Sequence, residues 1–237
     1  APIQINYLGY PGTSSAEFID YVIADKTLIP KKNQKYFSEK IVYLPNTYQV
    51  RDSTQKISNK TYKRRDFNLP EDNFVFCCFN QNYKITPDVY DVWMRLLKKI
   101  SGSVLWLIKN SDTGLDNLKK EAHARGVDPN RIIFAEKLPV PEHLARHKLA
   151  DLFIDTFPYT AHTTCSDALW AGLPVITCIG ESFASRVGAS LLSAIGLEEL
   201  ITKTKIEYEN LAIKIATNSK VLKNIKNKLE RNKVNKP

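Results

Sequence analysis

The chain has 237 residues, 43% of them apolar, and a formal net charge of +9. That length and apolar content fit one large α/β domain, or one domain with part of another. No apolar run reaches a bilayer span and the opening APIQINYLGYPG has no signal-peptide pattern, so neither a membrane-spanning helix nor a signal peptide is expected in this sequence. Cys77, Cys78, Cys165 and Cys178 form no C-x-x-C pair, so neither a zinc site nor a redox motif is signalled. Reduced thiols in a cytoplasmic protein are expected. Residues 203–237 hold ten Lys/Arg against three Asp/Glu, so seven of the nine surplus charges sit in the tail. A nucleic-acid binder loses its main support, because the basicity is not a face of the core.

In chain order, residues 3–8 read as a short strand running into a turn-rich loop at 9–15. Residues 20–24 (DYVIA) are a second strand, 31–40 a helix or turn, and 41–44 (IVYL) a third strand stopped by Pro45. Residues 46–65 lack apolar periodicity and, with Lys60, Lys63, Arg64 and Arg65, resemble a linker. From Phe67 the pattern is regular. Residues 74–79 are a strand. A helix opens at Pro87, with Val89, Trp93, Leu96, Leu97 and Ile100 on one face. A strand at 104–108, a helix at 114–126, a strand at 132–134 and a helix at 141–150 follow. Beyond these lie strands at 152–154 and 175–179 and a helix at 182–194. Alternating units of this length predict a doubly wound parallel sheet. The tail, with Tyr208, Leu211, Ile215, Leu222, Ile225 and Leu229, reads as one helix with a lysine-rich outer face.

The stretch 151–180, DLFIDTFPYTAHTTCSDALWAGLPVITCIG, organises the rest. Leu152-Phe153-Ile154 is short and apolar enough for a buried parallel strand, ended by Asp155-Thr156 and Pro158. The loop then feeds a helix whose Thr164-Cys165-Ser166-Asp167 has the T-x-x-D form of a capping box. Ligands of open α/β sheets lie beyond the carboxyl ends of strands, and a helix N-terminus there suits phosphate. Four groups fall at such positions: Gln81 and Lys84 after the strand at 74–79, His143 and Arg146 opening the helix after 132–134, His162-Thr163-Thr164 with Asp167, and residues 180–186. A cap or a solvated surface accounts for each member alone; their shared sheet edge carries the functional reading. No G-x-G-x-x-G, Walker P-loop, H-E-x-x-H or D-x-D is present, so no dinucleotide, P-loop or catalytic-metal signature exists.

Leu8-Gly9-Tyr10-Pro11-Gly12-Thr13-Ser14, Phe79-Asn80-Gln81-Asn82-Tyr83-Lys84-Ile85, Asn130-Arg131-Ile132-Ile133-Phe134, His162-Thr163-Thr164 and Asp167-Ala168-Leu169-Trp170-Ala171-Gly172 occur together. Jointly they resemble the catalytic region of the O-linked N-acetylglucosamine transferases, from residue 1 to about 230. The resemblance implies a GT-B fold: an α/β, Rossmann-like doubly wound parallel sheet as the C-terminal lobe, with a remnant of the N-terminal lobe. The expected organisation is 1–50 as the end of the first lobe, 51–66 as linker, 67–202 as the nucleotide-sugar-binding lobe, and 203–237 as a basic helix and tail. The family's tetratricopeptide repeats, the first half of its first lobe and its closing C-terminal helix are expected to be missing. The short linker resembles that of bacterial members.

The resemblance also implies roles. Gln81 and Lys84 would hold the diphosphate of UDP-N-acetylglucosamine, with Lys84 stabilising charge on the departing UDP. His143 would lie against the uracil with Arg146 in support, Thr163 and Thr164 would bind phosphate oxygens beside His162, and Asp167 would take the ribose hydroxyls. Val140 stands where animal members carry a lysine near the ribose, which weakens that contact. The implied reaction is metal-free, inverting transfer of N-acetylglucosamine to a protein Ser/Thr hydroxyl, with no cofactor beyond the UDP-sugar donor and a protein or peptide acceptor. The general base is not among the matched residues, so the fragment is expected to bind UDP and turn over poorly alone. The alternatives are an asparagine-glycosylating bacterial relative and a UDP-sugar-binding or epimerase-like enzyme acting on a small molecule.

Overall fold

A computed structural model describes residues 1–235. Its main sheet has six strands, all paired in parallel: β4 Val75–Cys78, β5 Val104–Ile108, β6 Ile132–Ala135, β7 Leu152–Ile154, β8 Val175–Cys178 and β9 Ile201–Thr202. Every residue of β4, β5, β7 and β8 is buried. Such runs read as continuous apolar stretches because helices cover both faces of a parallel sheet. The spatial order is β6-β5-β4-β7-β8-β9. The chain therefore leaves β4 in one direction, returns beside it at β7, and continues the other way. The gap between the tips of β4 and β7 is the topological switch point, where open α/β sheets bind their ligands.

The helices are α1 Pro87–Lys99, α2 Asp112–Ala124, α3 Val140–Arg146, α4 Thr163–Trp170, α5 Val187–Ala194, α6 Lys205–Thr217 and α7 Ser219–Asn235. α1 starts where the sequence indicates: Thr86 caps it by accepting from the Val89 amide, and Pro87 occupies its first turn. Val89, Trp93, Leu96 and Leu97 are all buried on its inner face. Trp93 reaches Tyr208 of α6, indole nitrogen to hydroxyl at 3.4 Å, and so draws the tail onto the sheet.

The tail differs from the expected single helix. Asn218 is extended (φ −132°, ψ 96°) and its side-chain oxygen accepts from the Val221 amide at 3.2 Å, starting a second helix. The Asn-Ser pair is a helix-start signal inside an otherwise apolar-periodic run, and the local hydrogen bond wins. β9 is only two residues long, too short for a periodicity to register. The first strand shrinks to Ile5–Asn6 and 31–40 resolves into a 3-10 turn at Lys31–Tyr36 followed by a strand.

A second, three-stranded parallel sheet precedes this body, ordered β1 Ile5–Asn6, β2 Tyr21–Ala24 and β3 Lys40–Tyr43. Asp25, at the end of β2, pins it to α5. One carboxylate oxygen accepts from the amides of Thr27 and Leu28, both at 2.9 Å. The other accepts from the Tyr48 amide at 2.9 Å and the Ser190 hydroxyl at 2.6 Å. Arg186 adds a bond to the Thr27 carbonyl at 2.6 Å, and Tyr48 packs edge-on against Phe183 at 5.1 Å. Asp25→Ala leaves several buried donors unpaired, each worth about 1–3 kcal/mol. The expected result is a lower unfolding midpoint and faster proteolytic cleavage within residues 1–50 than within the main sheet; protection equal to wild type would show that Asp25 is not the pin.

Candidate functional site

The site is built outward from Asp155, the residue after β7. Its side chain is completely buried. One oxygen accepts from the Thr156 amide at 2.8 Å, the Ala161 amide at 2.7 Å and the Asn80 side-chain amide at 3.2 Å. The other accepts from the Thr177 hydroxyl of β8 at 2.7 Å. Burial pushes its carboxyl up to about 6, against the pull of these donors and of Lys84. Four hydrogen-bond donors face the two oxygens, the setting of a carboxylate rather than of a carboxylic acid. The loop 156–161 is thus wrapped around a buried anion, and Asn80 links that anion to the tip of β4. Asn80 also donates to the Thr156 hydroxyl at 2.8 Å and accepts from the Thr164 hydroxyl.

Lys84 comes in from a 3-10 turn at Asn82–Lys84, opened by the exposed Gln81. Its ammonium donates to the Thr160 carbonyl at 3.0 Å and sits 3.9 Å from the centre of the Tyr159 ring. Burial lowers its pKa, and Asp155 opposes that by favouring the charged form. Tyr159 also lies 5.1 Å from the His162 ring and 6.3 Å from Tyr83. His162 donates from Nε2 to the Ala184 carbonyl at 3.4 Å, and burial, then the Lys84 charge, push its imidazole down to about 4.

α4 begins at Thr163 with no side chain capping it. The capping box expected at Thr164 and Asp167 does not form, because both side chains have stronger partners elsewhere. Thr164 is bound to Asn80, and Asp167 accepts from Arg51 at 2.6 Å. The exposed Thr163 and the first turn of α4 therefore present N–H groups and the positive end of the helix dipole at the switch point. Arg51 belongs to the stretch expected to be a loose linker. It also bonds Gln55 at 2.6 Å and stacks 5.1 Å from Trp170, so this stretch is fastened to α4.

A third group surrounds Phe79, at the end of β4. The His143 and His147 rings lie 5.2 and 5.1 Å from it, and the Arg146 guanidinium 4.8 Å. Arg146 is completely buried, donating to the Glu136 carbonyl at 2.5 Å and to His143 Nδ1 at 2.6 Å. Burial, and secondarily the Arg146 charge, hold the His143 imidazole down at about 4. His143, Lys84 and Thr163-Thr164 are thus joined through Phe79, Asn80 and the 156–161 loop into one rim over β4 and β7. Asp167 is on the same helix, but its carboxylate is turned toward Arg51.

Asp155 and Arg51 escaped sequence reading as site residues. Asp155 looks like an ordinary strand-ending residue, and only the sheet order places it opposite Asn80. A cavity of about 210 Å³ lies on the other side of α4, between Arg51, Ser166, Trp170, Leu191 and Ile195. None of Lys84, His143, Thr163 and Thr164 lines it. Apolar and polar side chains both line it, and its Arg51 guanidinium is already paired with Asp167.

The family model of glycosyl transferase family 41 matches residues 1–63 and 59–237. An Arabidopsis thaliana protein, the probable UDP-N-acetylglucosamine–peptide N-acetylglucosaminyltransferase SEC, is 40% identical over 100% of this chain, which covers 25% of that protein. The probable UDP-N-acetylglucosamine–peptide N-acetylglucosaminyltransferase SPINDLY of Petunia hybrida is 31% identical over 95% of the chain, covering 24% of that protein. Among solved structures, a point variant of the Thermobaculum terrenum O-GlcNAc transferase superimposes with a TM-score of 0.86 at 28% identity, over 98% of this chain and 44% of that one. Anabaena HepE in complex with UDP and glucose shares the fold, with a TM-score of 0.60 at 17% identity over 90% of this chain and 58% of that one. The chain spans about a quarter of the length of these curated relatives.

The Asp155 arrangement is testable through Gly188 of α5. A Cβ there would lie 2.8 Å from the Asp155 carboxylate and 2.9 Å from the Thr177 hydroxyl. Gly188→Ala is expected to cost about 1–3 kcal/mol, as overpacking does. Urea unfolding should show a lower midpoint with an unchanged slope; a midpoint equal to wild type would mean the carboxylate is not held against α5.

Proposed function

Because the chain belongs to glycosyl transferase family 41, we propose that it is the donor-binding part of a protein N-acetylglucosaminyltransferase. Its architecture is GT-B: a helix-covered parallel sheet carrying part of a second lobe. On this reading it binds UDP-N-acetylglucosamine, and the complete protein transfers the sugar to protein Ser/Thr hydroxyls. The observation that carries the reading is the meeting of a buried lysine and an uncapped helix N-terminus at the switch point between β4 and β7.

A nucleoside diphosphate brings concentrated negative charge next to a flat base. Lys84 and the first turn of α4 offer the matching positive charge, with the Gln81 and Thr163 side chains as neutral donors; the Thr164 hydroxyl hydrogen is on Asn80, so Thr164 would reach a phosphate oxygen through its backbone N–H. His143 offers a ring face for the base, backed by Phe79 and Arg146. His162 and Tyr159 form the wall beside the ammonium. Asp167 has one oxygen committed to Arg51, which leaves the other for the ribose hydroxyls.

In the reaction, the acceptor hydroxyl attacks the anomeric carbon from the face opposite the nucleotide, giving inversion. The bond from that carbon to the UDP oxygen breaks, and UDP leaves with the electron pair. Lys84 and the α4 terminus face the charge that develops there, and such preorganised charge is the term that often dominates catalysis. They supply positive charge without a metal ion. The proton lost by the acceptor is not assigned to a residue of this chain. Four buried free thiols suit a reducing compartment, so the cytoplasm is the proposed location. No helix among the described residues is long and apolar enough to cross a membrane.

Calorimetry with UDP, UDP-N-acetylglucosamine, UDP-glucose and GDP tests the donor, and peptide glycosylation by the full-length protein tests the transfer. Lys84→Ala should weaken UDP binding at least about tenfold, the scale of a lost charge-assisted bond, while uridine binding stays within about twofold. Equal losses for both ligands would remove Lys84 from the diphosphate.

A further inference from the structure

The nucleotide-site reading gives His143 a place beside the base but says nothing of which ring nitrogen carries its proton. The geometry fixes it. Arg146 Nη2 lies 2.6 Å from His143 Nδ1. A guanidinium has no acceptor, so the imidazole nitrogen must accept, and a neutral ring then carries its hydrogen on Nε2. Arg146 has no freedom to swing away. It is completely buried, its Nη1 is spent on the Glu136 carbonyl at 2.5 Å, and its Cζ lies 4.8 Å from the centre of the Phe79 ring and 5.8 Å from that of Trp106. His147 supports the same turn from below, donating from Nδ1 to the His143 carbonyl at 2.8 Å.

We propose that Arg146 is a positioning residue that locks His143 as its neutral Nε2–H tautomer, so that the donor site presents the nucleotide with a fixed, uncharged hydrogen-bond donor for one of its acceptor oxygens. A free histidine would divide between two tautomers and gain a proton near pH 6.5. Here protonation of Nδ1 would set an N–H against the guanidinium, two donors and two positive charges face to face. The charged and titratable groups around the ring act in the same direction or are distant from it. His147 is buried and held far below its ordinary range by burial and by His143. Glu142, the neighbouring carboxylate, is turned outward to Tyr62 and Lys60. The Glu136 carboxylate is paired with Lys109. Burial raises the Cys77 thiol well above its ordinary range, so it stays neutral. Locking the ring removes a protonation equilibrium and a rotamer choice from the binding step, which is preorganisation.

The inference rests on the nucleotide reading, and its test separates the two. Nitrogen NMR of the imidazoles in the full chain, with His143 assigned by its loss in His143→Asn, reports the tautomer directly. The expected spectrum has a bare Nδ1 and a protonated Nε2, constant from pH 7.5 to 5.0. Arg146→Met should mix the tautomers, since Nδ1 then faces no obligate donor. It should also weaken UDP-N-acetylglucosamine at pH 7.5 by at least about fivefold, on the scale of one lost hydrogen bond. Arg146→Lys, which keeps a donor, should recover at least part of both. The UDP-sugar is the probe because its diphosphate, esterified at both ends, does not titrate in this range. A protonated Nδ1 or a His143 titration in the wild-type spectrum overturns the lock, even if the Met variant fails to fold. So does a folded Met variant with unchanged tautomer and affinity. Failure of the wild-type chain to bind any uridine nucleotide would instead overturn the site.

Discussion

Asp155 has lost all contact with solvent, yet no Lys or Arg stands within ion-pair distance of it among the described residues. Ionising a buried carboxylate costs several kcal/mol unless hydrogen bonds replace its water. Four donors do so here, from its own loop, from β4 and from β8. That requirement is what shapes the site. The loop after β7 curls so that the Ala161 amide can reach back six residues to the carboxylate. Asn80 must point across the switch point, which places its oxygen where Thr164 can donate to it. α5 can approach only because Gly188 has no side chain. Tyr208 closes the arrangement from beneath, donating to the Asp155 carbonyl at 2.9 Å. Removing the anion would free the elements that carry Lys84, Thr163 and Thr164 from one another.

The charge of the whole molecule says little about this site. Most of the surplus sits on α6 and α7, where Lys205 pairs with Asp88, Lys226 with Asp151, Lys228 with Glu199 and Lys233 with Glu230. The cations that matter are few and sequestered: Lys84 against an aromatic ring and Arg146 between Phe79 and Trp106. Burial strengthens their fields, since fewer water dipoles intervene. Exposed lysines on a helix are screened within about 10 Å at ordinary salt. Local burial, not net charge, therefore decides where an anion is drawn.

Sequence periodicity was enough for the parallel sheet and for α1, because Val89, Trp93, Leu96 and Leu97 fall on one helical face, β4, β5 and β7 are apolar throughout, and β8 is apolar but for Thr177. It also marks the strands that Lys84, His143 and Thr163-Thr164 follow, which puts these candidate residues at one sheet edge. It was not enough where a side chain acts over a long sequence distance. Thr164 and Asp167 have the spacing of a helix cap, but Asn80 and Arg51, 84 and 116 residues earlier, take them instead. Asn218 shows the opposite failure: a local hydrogen bond interrupts an apolar period that runs on without a gap. Asp155 was invisible as an organiser because its role depends on β7 lying next to β4, which is topology rather than pattern.

The same long-range polar contacts determine how the three-stranded sheet meets the main one. Apolar surfaces are non-directional and tolerate sliding. This junction adds directed bonds to its apolar packing: Asp25 to Ser190, Arg186 to the Thr27 carbonyl, Thr47 to Ser190, and Arg51 to Asp167. Each has a narrow range of productive distance and angle. Two of them end on α5 and one on α4, the helices that flank the switch point. A shift of the first sheet would therefore strain the elements that frame the candidate nucleotide site. Arg51 is the most direct of these links, because the carboxylate it holds belongs to the helix whose N-terminus lies at the switch point. Segments that read as linker in composition thus act as struts, and the site's geometry depends on residues that neither touch the ligand nor belong to the sheet that carries it.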